Sequence, residues 1–190
     1  MIFVNQRDYP HLPYPHPTIP DENFTVFTSG CGLASLIMVV ENLTTAHFSM
    51  EEALSFAVEK KANLCRGTSL IVLAPAAAEK FGLVYARGQD MSEVLSCLQK
   101  GGMAIALTEG DRDGKPGLFT HGQHYITLTA FDGEDLCILD PFLYDGKYEE
   151  EGRAGRVRLD APFLYCPPET VDGETDPAHA RYHLFFRKKP

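Results

Sequence analysis

The chain has 190 residues, 44% of them hydrophobic and 23% charged, with a formal net charge of −9; this is enough for one sizeable core in a single domain spanning 1–190. An acidic chain without a basic stripe argues against nucleic acid as the main partner, and no apolar run approaches the roughly 20 residues that span a bilayer, so no membrane partner is expected. Five cysteines, at 31, 65, 97, 137 and 166, are odd in number and form no C-x-x-C pair, which argues against both a zinc ribbon and a disulfide framework. Cys65, Cys97, Cys137 and Cys166 read as reduced structural thiols. The N-terminus lacks the basic-then-apolar plan of a secretory signal, which makes a cytoplasmic location the expectation for the chain as it stands.

Residues 1–8 (MIFVNQRD) hold a short apolar run that predicts a strand, and residues 9–22 carry five prolines among Tyr, His and Leu, which predicts an extended surface loop. The stretch TSGCGLAS at 28–35 then leads into LIMVVENL. Leu33, Leu36, Ile37, Val40 and Leu43 recur at spacings of three and four and predict a helix over about 31–43 with one face in the core. Ser29 is the expected N-cap, and Gly30 and Gly32 remove bulk beside Cys31. Unpaired amide groups and the positive end of the helix dipole would favour the Cys31 thiolate, the nucleophilic form. A small buried core residue is the competing reading of the same cysteine.

A second helix starts at the capping box Ser49-Met50-Glu51-Glu52 and runs to about Lys61, with Ala53, Leu54, Ala57 and Val58 as its buried face. Gly67-Thr68-Ser69 opens a third, interrupted by Pro75 and stopped at Gly82; a fourth follows Asp90 and stops at Gly101-Gly102. The second half changes period. Residues 103–108 read as a buried strand, 109–120 as a polar loop, and 155–159 and 181–187 as further strands, with 167–179 a loop between them. Helices first and antiparallel strands second give an α+β class, a helical N-terminal half packed on a C-terminal antiparallel sheet.

Between these lies a hairpin, residues 124–130 and 136–140 around Asp132-Gly133. A three-residue loop ending in a left-handed Gly133 pairs Ala130 with Glu134, and counting back sets His124 opposite Asp140. Both would then share a face with Ile126, Leu128, Leu136 and Ile138, and the carboxylate would be close enough to hold the imidazole. A two-residue loop would put them on opposite faces. A histidine oriented by a carboxylate and aimed at a cysteine is the arrangement of cysteine acyl transfer. His121 is the alternative base, and a metal site of His121, His124 and Asp140 is a weaker alternative, because nothing else supplies ligands at recognisable spacing. No metal and no cofactor are expected.

These blocks resemble the papain-fold cysteine peptidases related to the bacteriocin-processing, double-glycine-cleaving peptidase domains, and more closely the free-standing peptidase-like branch of that superfamily. The resemblance runs from Val4-Asn5-Gln6 through SGCGLASLIMVVENL at 29–43, Gly67-Thr68-Ser69, Phe81-Gly82-Leu83 and Leu98–Gly102, to FTHGQHYITL at 119–128 and Ile138-Leu139-Asp140-Pro141. It covers about 1–145; residues 146–190 match nothing and read as an extension of the sheet. It implies a papain-like fold, a peptide or amide substrate, Cys31 as nucleophile, His124 as base and acid, Asp140 as orienter and Gln6 in the oxyanion hole. A non-catalytic papain-shaped binding domain and an acyl transferase using the same residues are the two other readings.

Overall fold

The computed structural model describes residues 1–17, 19, 24–64 and 66–188. Six α-helices occur among them: α1 (Val26–Ser29), α2 (Cys31–Leu43), α3 (Met50–Glu59), α4 (Leu70–Phe81), α5 (Met91–Gln99) and α6 (Pro168–Gly173). Seven strands, β1 (Leu83–Gly88), β2 (Met103–Thr108), β3 (His124–Phe131), β4 (Leu136–Leu139), β5 (Arg158–Asp160), β6 (Phe163–Cys166) and β7 (Tyr182–Arg187), form one sheet in the order β1-β7-β2-β3-β4-β6-β5. Every neighbouring pair is antiparallel. The class is α+β; of the strands from the C-terminal segment, β6 and β5 lie at one edge of the sheet and β7 lies inside it, between β1 and β2.

The pleat divides the core. Met103, Ile105, Tyr125 and Phe185 pack with the apolar residues of α2, α3 and α4, while Ala104, Ala106, Ile126 and Leu184 pack with Val94, Cys97 and Leu98 of α5. Alternate residues of a strand point to opposite faces, so the central strands are buried on both sides. Helix α2 carries ten buried residues and is nearly apolar all round, as a helix wedged between the sheet and other helices must be.

Several elements form for the reasons read from the sequence. Ser49 and Glu52 make the reciprocal capping box of α3, Asp90 accepts from the Glu93 N–H at the start of α5, and Gly82 ends α4 at φ 68°. Helix α4 continues through Pro75 as one element. Others differ. Residues 1–5 form no strand; Ile2 is tied to the side chain of Asn42 on α2, and Gln6–Asp8 form a 3-10 turn capped by Asn5. The buried face of α3 is Met50, Ala53, Phe56 and Ala57, with Val58 42% exposed. Strands β1 and β6 and helix α6 are additions to the sequence reading, α6 falling in the stretch expected to be a loop.

The hairpin register also differs. The observed pairs are Thr127–Leu139, Leu128–Ile138, Ala130–Cys137 and Phe131–Leu136, with a bulge at Thr129. The loop is four residues, 132–135, because the Asp132 carboxylate accepts from the N–H groups of Glu134 and Asp135 and the Asp132 N–H reaches back to the Asp135 carbonyl. Loop and bulge together slip the pairing by two residues. An even slip preserves the face, so Ile126, Leu128, Leu136 and Ile138 are all buried together as expected.

The interior position of β7 depends on Gly102, where a Cβ would stand 2.5 Å from the Phe185 carbonyl oxygen and 2.6 Å from the Cys97 sulfur. Replacing Gly102 by Ala should lower the urea midpoint, with a loss of about 1–3 kcal/mol from overpacking; an unchanged midpoint would mean that β7 is not held this closely.

Candidate active site

Cys31 is the first residue of α2. Its N-cap is Gly30 instead of Ser29, because a separate turn of helix, α1, ends at Ser29 and runs straight into α2. The two glycines are there for packing: a Cβ on Gly30 would meet the Val26 side chain and carbonyl oxygen at 2.5 Å, and one on Gly32 would meet the Thr68 Cβ at 2.7 Å. The Thr68 hydroxyl is in turn bonded to Tyr14 Oη at 2.7 Å. The thiol is partly buried and opens on a cleft of about 280 Å³ whose lining includes Thr28, Arg66, Thr68, Leu107 and Tyr125. A larger cavity of about 590 Å³, among Arg112, Lys115, Arg156 and Glu174, contains none of the sequence-selected residues.

His124, the first residue of β3, is buried, and its Nε2 lies 2.7 Å from Asp140 Oδ1. The ladder ends at Thr127–Leu139, so Asp140 reaches His124 diagonally across the slipped register. With Nε2 on the carboxylate, Nδ1 is the nitrogen left for the thiol. Burial opposes ionisation of both partners of the Cys31–His124 pair. Contact with His124 and the N–H groups of Tyr125 and Gly32 outweigh it for Cys31, whose pKa is lowered; Asp140 and Cys31 outweigh it for His124, whose pKa is raised. The pair therefore leans toward thiolate and imidazolium.

Asp140 is fully buried and accepts four hydrogen bonds. Oδ1 takes His124 Nε2 and the Phe142 N–H at 2.8 Å; Oδ2 takes Lys147 Nζ at 2.5 Å and Tyr148 Oη at 2.6 Å. Burial alone would push the carboxyl up, but Lys147 and then His124 hold it far below the usual range. Lys147 and Tyr148 belong to a 3-10 turn (Lys147–Glu149) and were not singled out in the sequence. A lysine among Phe142, Tyr144 and Tyr148 in a Gly/Asp-rich stretch looks like a snorkelling surface residue, and only the tertiary fold buries it.

Gln6 is also buried. Its backbone N–H bonds the Pro141 carbonyl at 2.8 Å, its Nε2 donates to the Phe27 carbonyl at 2.7 Å, and Asn5 Nδ2 bonds the Leu143 carbonyl at 2.8 Å. The N-terminal turn is thus tied both to α1, just before Cys31, and to the segment just after Asp140. Arg7 adds a stack on the rings of Phe27, Phe142 and Tyr144, the nearest centroid at 4.6 Å.

His121 is drawn away. It is exposed and pairs with Asp111 at 3.0 Å, so the set His121, His124 and Asp140 is not assembled. Among the described residues the grouping with metal-ligand spacing is Glu109, Asp176 and His179, near the surface. Cys97 and Cys166 are buried, with thiol pKa values pushed up to about 11 and about 12, mainly by burial, and Cys137 is partly buried. Cys65 lies outside the described residues.

A cysteine thus opens a buried helix, and a histidine–carboxylate pair stands on the antiparallel sheet. Two solved structures share the fold. A protein described as a C39-like peptidase from Bacillus anthracis matches with a TM-score of 0.56 at 15% identity, over 100% of this chain and 96% of the other. The peptidase domain of Streptococcus ComA, a bifunctional ABC transporter involved in a quorum-sensing pathway, matches with a TM-score of 0.53 at 14% identity, over 83% of this chain and 91% of that one. No protein-family model matches the sequence, and no curated protein matches it. Among the described residues no helix is long and apolar enough to cross a membrane.

Asp140→Asn would leave the Lys147 ammonium buried without its counter-charge, and we expect a loss of about 3–5 kcal/mol in urea unfolding at pH 7. Because the folded carboxyl titrates below its unfolded value of about 3.9, its stabilisation is present above that pH and is lost as pH falls toward the folded value. Wild type and variant should therefore converge in stability on acidification; a gap that stays constant down to pH 2 would contradict the assignment.

Proposed function

We propose that the protein is a cysteine peptidase or amidase that cleaves a peptide or amide bond by covalent catalysis at Cys31. The observations that carry this reading are the 2.7 Å bond between His124 Nε2 and the buried Asp140, and the Cys31 thiol at the cleft, whose pKa the neighbouring His124 helps to lower against the opposing effect of burial. The fold shared with two peptidase structures supports a peptide as the substrate.

The Cys31 thiolate attacks the scissile carbonyl carbon, and the carbonyl oxygen becomes an oxyanion. The N–H of Cys31, in the first turn of α2 and so without an intrahelical acceptor, is one donor for it. Gln6 is the second: Nε2 has two N–H groups, one anchored on Phe27, which fixes the amide while the other serves the oxyanion. Collapse of the tetrahedral intermediate expels the amine, which takes its proton from the His124 imidazolium. The thioester then remains on Cys31 with a neutral imidazole beside it. His124 removes a proton from an attacking water, and breakdown of the second intermediate releases the carboxylic acid and restores the thiolate–imidazolium pair. Throughout, Asp140 keeps the ring oriented and stabilises its charged form.

Two measurements test this. Iodoacetamide labelling read by mass spectrometry should modify Cys31 rapidly below pH 7, while Cys97 and Cys166 stay silent. His124→Ala should slow the reaction and move the apparent thiol pKa of Cys31 upward. A Cys31 no faster than an ordinary exposed thiol would support the non-catalytic, papain-shaped binding domain instead. With a peptide substrate selected from a library, Gln6→Ala should lower kcat by about 10²- to 10³-fold while leaving Cys31 alkylation unchanged. Product adducts formed only with added amine acceptors would mark the transferase reading.

A further inference from the structure

The Lys147–Tyr148 turn holds the far side of the carboxylate on which His124 depends. Lys147 Nζ is fully buried and makes two hydrogen bonds, to Asp140 Oδ2 at 2.5 Å and to the Phe142 carbonyl at 3.0 Å. The rings of Phe142, Tyr144 and Tyr148 surround it, with centroids 5.4–5.7 Å from the ammonium. The remaining charged groups near it, Glu150 and Arg153, are paired with each other at 2.6 Å. Tyr148 Oη shares Oδ2, and Tyr14 and Tyr125 are the other ionisable groups facing Cys31.

Burying an ammonium ion is expensive, and a pairing of this kind is seldom favoured over well-packed apolar residues for stability alone. Its value is clearer from the charges. Thiolate, imidazolium, carboxylate and ammonium alternate in sign and sum to zero; without Lys147 the buried set carries a net negative charge. We infer that Lys147, assisted by Tyr148, is a positioning residue for the reaction: it fixes Asp140 through Oδ2 so that Oδ1 stays on His124, and it draws off part of the carboxylate charge so that the imidazolium remains acidic enough to protonate a leaving amine. An imidazolium gripped by an unshared carboxylate would hold its proton too tightly, and general-acid efficiency is greatest when the pKa lies near the working pH. The inference rests on the Cys31–His124 reading for its catalytic meaning, but its electrostatic content can be measured without turnover.

The test is the titration of His124, followed by NMR of its ring protons in the full chain and assigned by loss of the signal in His124→Ala, alongside the pH profile of Cys31 alkylation. Removing a nearby positive charge makes protons harder to lose. Lys147→Met should therefore raise the His124 pKa by about one unit and move the low-pH limb of Cys31 alkylation upward with it. Lys147→Arg, which keeps the charge, should restore both toward wild type. Lys147→Met with circular dichroism like wild type and His124 titrating in place overturns the inference, and so does Lys147→Arg moving His124 as far as Lys147→Met does. Should Lys147→Met not fold, Tyr148→Phe takes its place: it removes one donor from Oδ2, and an unmoved His124 overturns the inference while an upward shift supports it. If instead wild-type Cys31 fails to react as a thiolate but His124 still responds to Lys147→Met, the peptidase reading falls and the charge coupling stands.

Discussion

The structure around the cleft depends on one buried carboxylate. Asp140 collects four donors from three parts of the chain, β3 through His124, the strand exit through the Phe142 N–H, and the following turn through Lys147 and Tyr148. A carboxylate without water must have its lone pairs filled, and each filled lone pair here also fixes an element. The imidazole orientation, the path of residues 141–148 and the seating of the Gln6 turn on the Pro141 carbonyl follow from the same group. The helix carrying Cys31 meets this arrangement through packing: Gly32 lets α2 approach Thr68 and Tyr125 closely, and the Tyr14–Thr68 bond braces the other wall.

Much of this was legible because it is local. Helix starts could be read from Ser49, Glu52 and Asp90, since a cap is a contact over three residues. The pairing of His124 with Asp140 could be anticipated because face is conserved under an even slip, although the register itself was two residues off. That error has a definite source: the Asp132 side chain stabilises a four-residue loop and Thr129 bulges out, and neither leaves a mark on hydrophobic alternation. Strand β1 escaped notice because only Leu83 and Gly88 of its six residues are buried, and α6 because Val171 is its sole buried residue. Lys147 was invisible for a deeper reason. Its burial is produced by three aromatic rings and an aspartate that meet only in the folded chain, and the side chain alone predicts exposure.

Helix α2 also shows how one segment serves two purposes. Ten of its thirteen residues are buried, so its position is fixed by the core on both sides, while its first residue stands at the cleft. A side chain on the end of such a helix inherits the rigidity of the core without being enclosed by it.

The place of β7 has a consequence for how the protein comes into being. Residues 182–187 fill the gap between β1 and β2, pairing with both. On the ribosome the chain emerges from its N-terminus, so Cys31, His124 and Asp140 are all synthesised before the strand that closes the sheet. Until it arrives, β1 and β2 are unsatisfied edges and one wall of the core beneath α2 is open to water. A nascent or prematurely terminated chain would therefore hold Cys31, His124 and Asp140 without the scaffold that aligns them, and their arrangement would be completed late, with β7.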